Sequence, residues 1–339
     1  MNKKVLIIGP DSFGYSKSVE KAFQKLGYKT DIINYSKSYN NTLLTRARLK
    51  FEPIFKMNYY KNTVINKTNQ LILKKYLEFK PEVVMVIKGD ILTKTTIKKM
   101  KDSIIILWMM DSIFEEKEAY ANIDLYDYRF MFEKTDVDKL KNERVDSFFL
   151  PVALDESVYF PIKKQEKDID LLFVGHLDFK RQSLLENLIK DFPKLNIQIY
   201  GGYVGLIISK KHFKYYFKGY KKYFKNKQIL PSEVNELYSK TKIAINIHVD
   251  QSKYGCNPRF FEILGTRTFQ LVDNNKFIDE YFSDKVVSYA SYDDLNNKIK
   301  KYIDNENLRA SIAEKGYQEV INNHTFIQRV KYILTKLGY

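Results

Sequence analysis

The chain has one cysteine, Cys256, in 339 residues. That excludes an intramolecular disulfide framework and fits a reducing compartment. Its four histidines, His176, His212, His248 and His324, are scattered, and no Cys/His spacing points to zinc. There is no G-x-x-x-x-G-K-[ST] loop for a nucleoside triphosphate and no G-x-G-x-x-G for a dinucleotide. No run approaches the ~20 apolar residues of a membrane span. The apolar run Val5–Ile8 is too short for the centre of a signal peptide and stops at Gly9-Pro10. These absences lead to the expectation of a cytoplasmic protein, one that could still sit on the inner face of a membrane.

Hydrophobic residues make up 44% of the chain and aromatics 15%, which is ample for a globular core. The length is large for a single core, so two domains are expected. The net charge of +16 favours anionic partners: nucleotide phosphates, acidic lipid head groups or nucleic acid. Part of that charge follows from a general richness in Lys, Ile, Asn and Tyr.

The first half alternates strand and helix. Apolar runs predict strands at Lys4–Ile8, Lys29–Ile33, Val83–Ile87, Ile104–Met110, Arg129–Phe132 and Ser147–Leu150. Helices are expected at Ser16–Lys25, over a segment closing at Leu71–Phe79, and at Thr93–Lys101 and Asp136–Leu140. Pro151–Lys167, with two prolines and several charges, reads as a linker. A second series follows, with strands at Ile169–Val174, Ile197–Tyr200, Ile243–Ile247 and Phe269–Val272. Its helices are Arg181–Lys190, Ser232–Tyr238 and Arg259–Leu264, then Asp293–Tyr302, Glu306–Ile321 and Ile327–Leu337. Near-continuous apolar strands separated by helices imply parallel sheets covered on both faces. The fold class is therefore α/β, with two doubly wound Rossmann-like domains. Ligands in such sheets bind outside the carboxyl ends of the strands, and two facing sheets would place a site in the cleft between them.

Four places could carry chemistry. Asn257-Pro-Arg-Phe-Phe-Glu262 reads as a helix start, with Asn257 at the N-cap and Pro258 at the first helical position. Arg259 and Glu262, three apart, share a face. Such an arginine can fork onto a phosphate and such a carboxylate can accept from ribose hydroxyls. The same residues also fit an ordinary amphipathic helix with one ion pair. Phe173–Arg181 runs from strand to helix through Gly175, where a phosphate could approach the backbone. Lys180 and Arg181 oppose the helix dipole there, which makes them anion-ligand candidates; solvated cations at a plain turn are the alternative. His176 lies in the same turn. In the first half, Gly9, Lys88, Asp90 and Asp111 follow strand ends. Asp111 is the best-placed acid for orienting an acceptor hydroxyl or taking its proton, and a helix-capping role is equally open. Finally, Lys210–Lys227 interleaves basic and aromatic residues. That pattern suits an anionic membrane surface, a surface helix with snorkelling lysines or, less well, single-stranded nucleic acid.

The ordered set Pro81–Asp90, Ile106–Ser112, Leu150–Asp155, Phe173–Gly175 with Arg181, Asn257–Glu262 and His324–Arg329 resembles the CgeB-like glycosyltransferases. These are related to the family 4 enzymes of the two-Rossmann-domain (GT-B) type. The resemblance implies an acceptor-binding first domain at 1–155 and a nucleotide-sugar domain at 156–322. It also implies a C-terminal helix, 323–339, crossing back to the first domain. It makes Glu262 the ribose carboxylate and Arg181, with Lys180, the diphosphate clamp. Asn257 and Arg259 would line the same pocket, and the turn Leu230-Pro231-Ser232 would meet the base. Asp111, Arg181 and Glu262 become the catalytic candidates. Cations would serve in place of a metal, so neither a metal nor another cofactor is expected. Many family 4 enzymes carry two glutamates separated by seven residues, and the earlier position here is Tyr254. The first-domain histidine usual in such enzymes has no counterpart either, though Asp111 lies near its place.

The expected activity is transfer of a sugar, most simply from a UDP-sugar, to a glycan, lipid-linked or protein acceptor in bacterial surface-glycan assembly. A non-catalytic nucleotide-sugar-binding or scaffold protein of the same fold is the alternative. A nucleic-acid-binding protein ranks behind both.

Overall fold

The structure is a computed structural model. It describes residues 3–10, 14–38, 59–163, 165–202, 222–225, 229–248 and 254–339. The chain divides into two compact units. One comprises Met1–Val152 with Phe326–Tyr339, the other Ala153–Thr325.

The first unit holds a six-stranded parallel sheet: β1 (Lys4–Gly9), β2 (Lys29–Asn34), β3 (Val83–Ile87), β4 (Ile104–Trp108), β5 (Tyr128–Met131) and β6 (Phe148–Phe149). Their order across the sheet is β2-β1-β3-β4-β5-β6. Its helices are α1 (Tyr15–Lys25), α2 (Tyr59–Phe79), α3 (Lys94–Lys99), α4 (Lys117–Ala121) and α5 (Lys134–Asn142). The strands β1 and β3 are buried on both faces, as their unbroken apolar runs require. The strand β4 ends at Trp108, short of the expected Met110, although the Met109 N–H still donates to the Phe130 carbonyl. The Trp108 indole N–H, wholly buried, donates to the Leu150 carbonyl at 3.1 Å.

The second unit holds β7 (Ile169–Val174), β8 (Ile197–Tyr200), β9 (Phe224–Lys225), β10 (Thr241–Asn246), β11 (Gln270–Asp273) and β12 (Val287–Tyr289). All are parallel, in the order β12-β11-β10-β7-β8-β9. Its helices are α6 (Phe179–Asp191), α7 (Pro231–Ser239), α8 (Pro258–Gly265), α9 (Lys276–Tyr281), α10 (Tyr292–Tyr302) and α11 (Glu306–Asn323). A last helix, α12 (Phe326–Lys336), returns the chain to the first unit. There Phe326 packs on Trp108 and Tyr15, and the Arg329 guanidinium donates to the carbonyls of Pro151 and Val152.

The segment expected as a linker is not an open tether at its start. Val152, Ala153 and Leu154 are buried, and Leu154 bridges to Thr325. Leu154 also fills the space beside Gly265, where a Cβ would lie 2.3 Å from its Cδ1. Strands β9 and β12 and helices α4 and α9 were not expected from the sequence. Each is six residues or fewer, too short to show a period. None of the described helices is long and apolar enough to cross a membrane. The Lys210–Lys227 segment lies outside the described residues except for 222–225.

Candidate functional site

In an open parallel sheet the strand order reverses at one place, and the carboxyl ends of the two strands flanking it splay apart. In the second unit that place lies between β7 and β10. Four of the sequence candidates belong to the turn after β7. Gly175 donates its N–H to the Tyr200 carbonyl at 2.9 Å. Its own carbonyl lies where a Cβ on Gly201 would sit, 1.9 Å away, so Gly201, at φ +142°, has to be glycine. The Asp178 side chain caps α6 by accepting from the Arg181 N–H at 2.9 Å. Lys180 and His176 are exposed.

Arg181 behaves differently from the free anion ligand envisaged from sequence. Its Nε and Nη2 donate to the Ile247 carbonyl at 3.1 and 2.5 Å, and its Nη1 to the His176 carbonyl at 3.0 Å. Its side chain is 11% exposed. A cation at a helix N-terminus is disfavoured by the dipole; here the guanidinium turns away to the carbonyl after β10. Arg181 thus pins the two flanking strand ends together across the point of reversal.

The three residues at the end of β10 gather the rest. Asn246 accepts from the Asn257 side-chain amide at 2.9 Å, and its carbonyl accepts from the Tyr289 hydroxyl at 3.2 Å. Ile247 holds Arg181. His248 is buried, and its Nδ1 meets Asp273 Oδ1 at 2.7 Å, while its backbone N–H donates to both oxygens of that carboxylate. Burial works against the Asp273 charge, but the His248 hydrogen bonds and charge, with Lys180 nearby, outweigh it and hold the carboxyl below its ordinary pKa. Asn246, His248, Asp273 and Tyr289 were not among the sequence candidates. Each lies at the carboxyl end of a strand, and that position was the signal that could have found them.

Helix α8 carries the remaining candidates. Asn257 caps it, accepting from the Phe260 N–H at 3.0 Å, with Pro258 at the first position. Arg259 and Glu262 are ion-paired, and the carboxylate is nearly buried. The hydroxyls of Tyr159 and Tyr238 also hydrogen-bond with Arg259, and burial first of all pushes both phenols well above the ordinary tyrosine range. Arg259 and Glu262 therefore share an inward-facing cluster with two tyrosines rather than a solvated surface pair. The Tyr254 hydroxyl donates to Glu280, so a carboxylate stands at the end of its ring. Pro231 opens α7 and is exposed. Among the described residues, no group of three or more His, Cys, Asp or Glu is placed to hold a metal ion.

In the first unit the order reverses between β1 and β3. Gly9 ends β1 so close to its neighbour that a Cβ would lie 3.0 Å from Ile87 Cβ and 2.5 Å from Ser16 Oγ. Beyond β3, Lys88 and Gly89 both take positive φ, +71° and +74°. The Lys88 ammonium lies 3.0 Å from Glu116 and 3.6 Å from Asp90. Burial opposes its charge, but Glu116, Asp90 and Asp111 together raise its pKa. The Tyr35 hydroxyl donates to Asp90 at 2.5 Å. Asp111 is exposed, in the turn just before Ile113, whose N–H donates to the buried Asp136 at 3.0 Å. Lys88, Asp90 and Asp111 thus share one neighbourhood, with Glu116, Tyr35 and Asp136 added by the structure.

Residues 180–335 match a family described as glycosyl transferase-like. The fold is that of the two-Rossmann-domain glycosyltransferases. Sucrose-phosphate synthase from Thermosynechococcus elongatus superposes with a TM-score of 0.69 at 10% identity, covering 99% of each chain. Anabaena HepE, solved in complex with UDP-glucose, superposes with a TM-score of 0.61 at 9% identity, again over 99% of both chains. The fold also serves other chemistry. A protein assigned as a UDP-N-acetylglucosamine 2-epimerase, from Listeria monocytogenes, superposes at 0.59 with 11% identity over 99% of this chain and 96% of its own. No curated protein matches the sequence. The glycosyl transferase-like segment contains Arg181, His248, Asp273, Asn257 and Glu262.

Proposed function

We propose that the chain is a glycosyltransferase whose second unit binds a nucleoside-diphosphate sugar, most simply UDP-linked. The observation that carries this reading is the cluster at the β7/β10 reversal, where Lys180, Arg181 and His248 collect inside the glycosyl transferase-like segment. In the reaction the bond from the anomeric carbon to the diphosphate oxygen breaks. A bond to an acceptor oxygen forms, and the acceptor hydroxyl loses its proton. Positive groups and hydrogen-bond donors near the diphosphate would lower the barrier by stabilising charge on the leaving group. Lys180 is the exposed cation suited to that role, while Arg181 keeps the strand ends in place behind it. Glu262 would hold the ribose, with Asn257 and Arg259 beside it, and Pro231 would lie near the base.

The acid-rich edge of the first unit would take the acceptor, a glycan, lipid-linked saccharide or protein. Asp111 would orient its hydroxyl or accept its proton. Hexosyl transfer with retention, without a metal, in bacterial surface-glycan assembly is the form the resemblance implies. A cytoplasmic location with Lys210–Lys227 on an anionic membrane belongs to the same reading; sedimentation with liposomes containing or lacking anionic lipid tests that part.

A thermal-shift series with UDP-, GDP-, ADP-, CMP- and dTDP-sugars, with and without EDTA, tests the core of the proposal. A ligand that binds only the folded state raises the midpoint. One nucleotide is expected to stand out and to keep its effect in EDTA. No shift with any donor overturns the reading. Tyr254, in place of the earlier glutamate, favours a second reading, a protein that binds the donor without transferring it. Donor binding with neither transfer nor hydrolysis across a broad acceptor panel would establish that one.

A further inference from the structure

Sequence spacing leaves His248 as one of four scattered histidines; the fold gives it a specific construction. The residue is 4% exposed. Asp273 is ionised and can only accept hydrogen bonds, so the ring nitrogen it meets at 2.7 Å, Nδ1, carries the proton. The same carboxylate accepts from the His248 backbone N–H, which fixes ring and main chain together. That leaves Nε2 as the atom able to take or give a second proton. Nε2 is buried and meets no hydrogen-bond partner among the described residues. Buried polar atoms are nearly always satisfied, so an orphan of this kind calls for an explanation. A carboxylate that sets the tautomer and orients the opposite nitrogen is one arrangement by which an imidazole is held toward a reacting or bound group.

The surroundings indicate what that group is. The residue before His248 supplies the carbonyl that holds Arg181, and Lys180 is close enough to Asp273 to lower its pKa. Helix α6 starts two residues before Arg181. The ring therefore stands at the point of strand reversal, beside a cation and next to a helix start, where an anion is favoured over a neutral or positive group.

We propose that His248 Nε2 is a direct hydrogen-bond donor to the diphosphate of the bound nucleotide, and that Asp273 is its positioning residue. The inference rests on the donor-site reading above and adds a residue to it. Among the described residues Nε2 meets no other partner that such a contact would displace. On binding, Nε2–H donates to a phosphate oxygen, and Asp273 balances the positive charge of the ring. Asp273 touches no ligand; it acts by holding the tautomer.

The test uses the full chain with imidazole nitrogens labelled in its four histidines and followed by NMR, His248 being assigned from the signals missing in His248→Gln. UDP, UMP and uridine are the probes, with affinities from calorimetry. Saturating UDP is expected to shift the His248 Nε2 signal, as a new hydrogen bond at that nitrogen would, and to leave Nδ1 protonated throughout. His248→Gln is expected to weaken UDP about 10- to 100-fold and leave uridine unchanged, as loss of one charge-assisted hydrogen bond would. Asp273→Asn is expected to weaken UDP less and to disturb the Nδ1 proton. The NMR readout on the unsubstituted protein stands even if a variant fails to fold. UDP that binds without moving Nε2 overturns the His248 assignment and leaves the donor site intact. Equal losses for UDP and uridine place His248 on the nucleoside and overturn the phosphate contact. Absence of any UDP binding overturns the donor-site reading and this inference with it.

Discussion

The two points of strand reversal share a topology and differ in charge. In the second unit the reversal is closed by a guanidinium, flanked by an exposed lysine and backed by a histidine on a carboxylate. In the first unit the corresponding place holds one lysine between Glu116 and Asp90, with Asp111 nearby, and the chain turns there through two left-handed residues. A parallel sheet supplies only an opening at its carboxyl edge. The few side chains around that opening decide whether it suits an anion or a hydroxyl-bearing molecule. Among the described residues the first edge gathers carboxylates around Lys88, and the second gathers Lys180, Arg181 and His248, the charge an anion would favour.

The comparison breaks first at Arg181. Arg181→Ala removes three hydrogen bonds and leaves the Ile247 and His176 carbonyls without their donor. A loss of about 2–4 kcal/mol in denaturant unfolding is expected, together with loss of UDP-sugar binding by calorimetry. Stability within error of the parent would mean that Arg181 is a ligand and not a pin.

Next is Gly89→Ala in the first unit. The residue sits at φ +74°, and its Cβ would lie 3.0 Å from Leu107 Cδ1 and from the Tyr126 hydroxyl. A cost of about 1–3 kcal/mol is expected from strain and crowding. UDP-sugar affinity should not change, because the proposed donor edge is in the other unit; a parallel loss of affinity would erase the distinction between the edges.

A control lies at the opposite end of the second sheet. The Lys167 ammonium donates to the carbonyls of Ser239 and Thr241, and burial lowers its pKa to about 8. As pH rises, the folded chain releases this proton before the unfolded chain does, which holds it to ~10.4. Stability therefore rises between pH 8 and 10.4, and the full cost of burying the charge is felt below 8. Against Lys167→Met, the parent should gain about 1–2 kcal/mol from pH 7 to pH 10, a figure reduced for partial exposure. Equal pH dependence in parent and variant would refute the shift.

The smallest effect on stability is expected at Lys180. Lys180→Ala, at an exposed position, should change unfolding by no more than about 0.5 kcal/mol. UDP affinity should still fall severalfold at low salt, and less at high salt, as for any exposed charge. An unchanged affinity would leave the second edge without its cation and weaken the contrast.

Much of the framework was legible from residue pattern. Val83–Ile87, Ile169–Val174 and Ile197–Tyr200 match their observed bounds, because an unbroken apolar run between turn residues has few ways to be placed. Val287–Tyr289 is a three-residue edge strand, and α9 has six residues; both take their form from neighbours already in place. At the candidate site, Arg181 and Lys180 stood out as cations at a helix start, and Glu262 as a carboxylate against an apolar run. The carbonyl that holds Arg181 is 66 residues away, and the carboxylate that holds His248 is 25 away. No local pattern connects such pairs.

The sequence by itself determined that this is an α/β protein of two parallel sheets, and it marked the strand ends where polar residues collect, because strand and helix periods are local properties of the chain. Tertiary structure alone decided which of those residues meet. It turned Arg181 from a free cation into a pin and joined His248 to Asp273. It also set Arg259 and Glu262 beside two tyrosines, because contacts between distant segments depend on strand order and packing, which no single stretch of sequence contains.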